Sequence, residues 1–130
     1  MEFKLIKFDN ITEGRSSLIS LEEMKNIPFK IKRVYYIYGL KPDEERGKHA
    51  HKNLEQVLIC LHGSCTIILD NGKNRKFVDL SHPCDGLYIG RNIWREMKNF
   101  TEGCVLLVLA SEYYDESEYI RDYDEFLKAL

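Results

Sequence analysis

The sequence predicts an all-β domain, a sandwich or barrel of short strands, followed by one C-terminal helix. Three observations predict it. Short β-branched and apolar runs recur with turn signals between them, at spacings of roughly eight to twelve residues. Asp70-Asn71-Gly72-Lys73 is a strong hairpin signal between two such runs. A helical apolar period appears only from Ser117 onward.

The elements follow in order. Residues 2–8 alternate Phe3 and Leu5 with Lys4 and Lys7 and read as a short strand. Residues 12–17 form a turn, and 18–21 a second short strand. Residues 30–38 carry Ile31, Val34, Tyr35, Tyr36, Ile37 and Tyr38, a β-branched and aromatic run that reads as a strand. Residues 39–48 are a polar loop holding Pro42 and Gly47. Strands at 55–61 and 64–69 flank the His62-Gly63 turn. Residues 75–80 return from the hairpin, 87–89 and 93–100 add two more strands, and 104–110 are fully apolar. That makes about nine or ten strands, the count of a sandwich or barrel. Tyr119, Ile120, Tyr123, Phe126, Leu127 and Leu130 share one face of a helix over 117–130. The chain shows no repeat, linker or domain boundary, so residues 1–130 read as one domain.

Composition narrows the function. The 19 basic and 21 acidic residues leave a net charge of −2, so nucleic acid and anionic membrane exert no general attraction. No apolar run reaches membrane-spanning length. Residues 1–10 lack the apolar core of a signal peptide, and the cytoplasm is the expected location. Cys60, Cys65, Cys84 and Cys104 contain no Cys-x-x-Cys pair and read as free thiols, mostly buried. His62 and His82 fall in turns and are expected to be solvated.

The stretch that carries chemistry is Arg46-Gly47-Lys48-His49-Ala50-His51, ahead of the apolar run that starts at Gln56. Residues two apart on a strand share a face, so His49 and His51 can enter one pocket. Such a pair serves either a metal or proton transfer. The spacing matches the cupin pattern, a jelly-roll barrel or double-stranded β-helix with His-x-His, a carboxylate, and a third histidine in a second motif. Here the carboxylate position falls on Gln56, with Glu55 as the alternative, and the third-histidine position falls on Arg95. A guanidinium cannot ligate a cation and repels it. The expectation is a cupin without a metal or other cofactor, built for an anionic substrate. A metal-dependent cupin using His49, His51 and Glu55 is the competing reading, and a non-catalytic sugar-binding cupin is another.

The runs around Val34-Tyr35-Tyr36, Arg46-Gly47-x-His49-Ala50-His51, Gln56-Val57-Leu58-Ile59, Gly86-Leu87-Tyr88-Ile89-Gly90, Trp94-Arg95-Glu96-Met97 and Ser111-Glu112-Tyr113-Tyr114 resemble the dTDP-sugar 3,4-ketoisomerases, over nearly the whole chain. The resemblance implies a cupin-fold homodimer that converts dTDP-4-keto-6-deoxyglucose to its 3-keto isomer, for amination and use in bacterial surface glycans. It implies His49 and His51 as the acid–base pair. Arg33, Tyr35 and Gln56 are expected to line the barrel, Arg46 to meet the pyrophosphate or the enediolate, and Tyr88 and Trp94 to pack on sugar or thymine. Arg95 points to the gluco configuration at C4, whereas Arg15 resembles the residue of galacto-type members; the reading taken is gluco. Short apolar edge strands need cover, and the N-terminal strands are expected to exchange between two subunits.

Overall fold

A computed structural model describes residues 1–130. In chain order the elements are β1 (Phe3–Lys7), β2 (Ile11–Glu13), β3 (Ser16–Leu18), β4 (Arg33–Ile37), β5 (Arg46–His51), β6 (Gln56–His62), β7 (Cys65–Asp70), β8 (Arg75–Leu80), β9 (Asp85–Ile89), β10 (Trp94–Lys98), β11 (Val105–Ala110), β12 (Tyr119–Ile120) and α1 (Tyr123–Lys128). Two five-stranded sheets, ordered β1-β9-β6-β11-β4 and β12-β5-β10-β7-β8, face each other as a jelly roll. Every pairing between strands is antiparallel.

Alternation along the strands sorts the side chains into two apolar layers. Leu58, Cys60, Ile67, Leu69, Leu87, Ile89, Met97, Leu106 and Val108 fill the space between the sheets. Val57, Ile59, Tyr88 and Leu109 point the other way. They are roofed by Phe8, Ile27 and Phe29 from the segment before β4. The first sheet is therefore covered on both faces, which explains the continuous apolar runs of β6 and β11.

Three expectations change. The 117–130 helix shrinks to α1. Asp122 accepts from the Glu125 amide at 3.0 Å and caps its start. Ahead of it, Tyr119 and Ile120 pair with His51 and Ala50 as an edge strand, because an unpaired β5 edge needs partners for its amides. The 12–17 turn is tighter than expected, since Ile11–Glu13 and Ser16–Leu18 pair across Gly14-Arg15. The loop expected over residues 39–48 ends early, because β5 already starts at Arg46. A bulge leaves Lys48 unopposed between the Arg95–His49 and Glu96–Gly47 pairs, with φ of 83° at Gly47 and 51° at Lys48.

The N-terminal region is docked in part. β1 pairs with β9 of its own sheet, whereas the β2–β3 hairpin joins neither large sheet. Gly86 shows how tightly β9 is roofed. A Cβ there would meet the Phe8 ring at 2.5 Å and Val57 at 3.1 Å. Gly86→Ala is expected to destabilise the fold by about 1–3 kcal/mol, read as a lower urea midpoint. The penalty should shrink in a Phe8→Leu background; equal penalties in both backgrounds would dismiss the proposed clash.

Candidate active site

The site opens between the sheets at one end, beside the β5 bulge. Positive φ at Gly47 and the close approach of the Arg95 carbonyl, 3.2 Å from a Cβ built at residue 47, leave room for glycine alone. The bulge brings the Gly47 carbonyl to 2.9 Å from His49 Nδ1. A carbonyl only accepts, so His49 Nδ1 carries the proton and its Nε2 is an acceptor. His51 Nε2 lies 3.1 Å from that atom and donates to it. The one acceptor of the pair left open is His51 Nδ1, buried without a protein partner.

Arg95 sits directly across the ladder from His49 and is fully buried. Its guanidinium donates to Gln56 Oε1 at 2.7 Å and to the Ile93 carbonyl at 2.9 Å, while its Nε has no partner. Gln56 Nε2 in turn donates to the Tyr35 hydroxyl at 3.1 Å. That hydroxyl spends its acceptor on Gln56 and keeps its own proton free to donate. Arg33 stacks over Tyr35 and Tyr114, with Nε and one terminal nitrogen buried and unpartnered. Neither Arg33 nor Arg95 is paired with a carboxylate. Buried cations without counter-charges cost stability, and this arrangement is suited to an anionic ligand.

The electrostatics follow. Burial first, then Arg95, push His49 down to about 4. The same two causes, with His49 next, push His51 further down. Burial raises the Tyr35 hydroxyl and keeps it protonated. Arg95 falls to about 10 by burial and stays cationic at neutral pH.

The sequence-predicted residues divide into two groups. Arg33, Tyr35, Arg46 and His49 line a cavity of about 330 Å³, and His51, Gln56 and Arg95 lie buried behind them. Tyr88 and Trp94 lie elsewhere. Leu87 and Ile89 take the interior side of β9, so Tyr88 points outward, where its hydroxyl meets Glu55 at 2.6 Å and Glu2 at 3.0 Å. Arg95 and Met97 take the interior side of β10, so Trp94 faces Tyr123 and Phe126 under α1. Arg15 is exposed at the tip of the β2–β3 hairpin. Glu55, the carboxylate a metal-dependent cupin would need, is held on the outer face by Tyr88.

Three site residues were not foreseen. Tyr114, Tyr119 and Arg121 line the same cavity, the last two from the stretch expected to be helical and Tyr114 from just ahead of it. Tyr119 packs on both histidine rings, at 5.0 Å and 4.4 Å between centroids. Arg121 lies over the Tyr119 ring at 4.5 Å and is held by Glu116 at 2.7 Å. The signal available was Asp115 and Asp122, two helix-capping residues that break the helical reading between them.

Two stacked antiparallel sheets with an inward His-x-His pair at one mouth define a cupin. The family model described as FdtA: WxcM-like, C-terminal matches residues 1–130. A curated relative from Aneurinibacillus thermoaerophilus, named TDP-4-oxo-6-deoxy-alpha-D-glucose-3,4-oxoisomerase, is 56% identical over 130 residues, 100% of this chain and 94% of that protein. A 3,4-ketoisomerase structure from Helicobacter canadensis superposes with a TM-score of 0.97 at 59% identity, covering 99% of this chain and 97% of that one. The ketoisomerase QdtA from Thermoanaerobacterium thermosaccharolyticum, in a histidine variant bound to TDP-4-keto-6-deoxyglucose, superposes with a TM-score of 0.96 at 53% identity, covering 98% and 92%. The chain belongs to the dTDP-sugar 3,4-ketoisomerase family.

The histidines make stability pH-dependent. Both folded-state values lie below the ordinary 6.5, so the fold selects the neutral rings. Between pH 6.5 and about 4 the unfolded chain binds more protons, and stability rises with pH across that window. The contribution is complete above 6.5 and is lost as pH falls; His49 alone accounts for about 3 kcal/mol. Urea midpoints should drop from near pH 7.5 to near pH 5, and less so in His49→Asn. An equal drop in both proteins would remove His49 as the cause.

Proposed function

We propose that this protein isomerises TDP-4-keto-6-deoxyglucose to the 3-keto sugar by acid–base catalysis at His49 and His51. The observation that carries the reading is the neutral, hydrogen-bonded histidine pair facing a cationic pocket. Moving the carbonyl from C4 to C3 requires removal of the C3 proton, an enediolate, and protonation at C4. An imidazole held neutral is ready to accept that proton at neutral pH. The enediolate oxygens gain charge as the proton leaves, and the free Tyr35 O–H is a donor aimed into the cavity. Arg95 aligns this donor through Gln56. The diphosphate of the substrate supplies the negative charge that Arg33 lacks, while Arg46 and Arg121, paired with Glu44 and Glu116, line the same cavity.

The remaining assignments rest on the same reading. Arg95 at the third-histidine position is the basis for a gluco configuration at C4. The 3-keto product has the electrophile an aminotransferase needs, which places the reaction ahead of 3-amino-3,6-dideoxysugar formation in the cytoplasm. The protein works as a homodimer: Val34 and Tyr36 on the outward side of the edge strand β4, and Tyr38 just beyond it, are exposed and apolar or aromatic, as are Ile11 and Leu18 on the unpaired hairpin. Exchange of that hairpin would carry Arg15 toward the second subunit. Tyr88 and Trp94 serve packing in this reading rather than substrate.

Proton NMR of the protein with TDP-4-keto-6-deoxyglucose in D₂O, with a chelator present and an aminotransferase as trap, tests the reaction. A 3-keto sugar should form, and a large diaxial coupling at C4–H in a parallel H₂O run marks the gluco product. An unchanged substrate spectrum would sink the proposal. His49→Asn should lower kcat about 10²–10⁴-fold with the fold intact, and Tyr35→Phe about 10²–10³-fold. Light scattering should give about twice the 15.3 kDa chain mass; a monomer would refute the dimer.

A further inference from the structure

The second cluster of reactive side chains lies at the other end of the sandwich. Cys60 is four residues beyond Gln56 on β6, about 13 Å further along the strand. Cys65 opens β7 and Cys104 precedes β11. The three sulfurs lie within 4.8 Å of one another, and all three residues are buried. Cys60 Sγ is 3.6 Å from Cys104 Sγ, and the Cys60 thiol donates to the His62 carbonyl at 3.2 Å. No disulfide joins any pair.

We propose that Cys60, Cys65 and Cys104 form a tris-thiolate site for a thiophilic trivalent metalloid, with arsenite as its probe. Geometry supplies the first argument. Metal–sulfur bonds of about 2.3 Å place sulfurs on a shared centre about 3.5–4 Å apart, so small rotations of these side chains close the site. Charge supplies the second and selects the ligand. The surroundings are apolar, with Leu58, Leu80, Phe100 and Leu106 in the same cluster, and no charged side chain perturbs the three thiols. Three thiolates on a monovalent ion leave a charge of −2 in this core, on a dication −1, and on trivalent arsenic zero. A buried net charge is disfavoured, and the neutral complex is not.

The step balances without any redox partner. Arsenous acid exchanges three As–O bonds for three As–S bonds, and each thiol proton leaves with a hydroxide as water. The turns at 62–64 and 101–103 meet beside the cluster: the Ser64 amide donates to Thr101 Oγ1 at 2.8 Å, and a Cβ built at Gly63 would lie 3.2 Å from Cys104 Cα.

Native mass spectrometry of the intact protein after incubation with sodium arsenite tests the site. The expected product carries one arsenic and has lost three hydrogens, with a raised melting temperature by linkage. Cys84→Ala should keep that adduct, and Cys65→Ala and Cys104→Ala should lose it. Failure of the unsubstituted protein to retain arsenic would overturn the proposal without reference to any variant. So would an unchanged adduct in Cys65→Ala, or displacement of arsenic by an equal concentration of zinc chloride, since zinc would then be favoured despite the charge it leaves.

Discussion

A guanidinium buried between two sheets with only neutral acceptors organises this molecule. Arg95 meets an amide oxygen and a backbone carbonyl, and no carboxylate. Its charge stays uncompensated inside the protein, and the neighbouring groups respond. Both histidines are held neutral by burial and by this cation. Gln56 is fixed because its oxygen faces Arg95, and its nitrogen is thereby left for Tyr35. A metal in the same corner would meet a positive charge and an amide already engaged.

The backbone supplies what the charges need. The Gly47–Lys48 bulge turns a carbonyl onto His49 and so selects its tautomer. A regular ladder would place one residue of β5 opposite each residue of β10, whereas here the extra residue lets His49 sit across from Arg95 while Gly47 reaches back. The strained pair of residues is thus explained by proton placement rather than by packing.

The segment after β11 finishes the site from outside. Asp115 and Asp122 cap short turns on either side of a two-residue strand. That strand seals the β5 edge and lays Tyr119 across both histidines. Asp70 fastens the segment's far end through the Tyr123 hydroxyl, and Phe126 packs on Trp94. Trp94 therefore acts on the site at one remove, by anchoring the element that covers it.

The sequence by itself determined the all-β class, the hairpin at residues 70–73, the strand that carries His49 and His51, and the lack of a carboxylate at Gln56 and of a third histidine at Arg95. Each of these depends on local spacing or residue type, which a chain displays without folding. Alternation would also have sent Tyr88 outward once Leu87 and Ile89 were given the interior, and Trp94 outward once Arg95 was; both were legible and were outweighed by their aromatic rings. Tertiary structure alone decided the rest. The bulge at Lys48 appears only against the register of β10. The helical period after Ser117 yields to strand pairing because β5 offers an open edge. The three cysteines meet because the end of β6, the start of β7 and the residue before β11 come together at one end of the core. Contacts between residues distant in sequence depend on sheet order and register, and no local pattern encodes those.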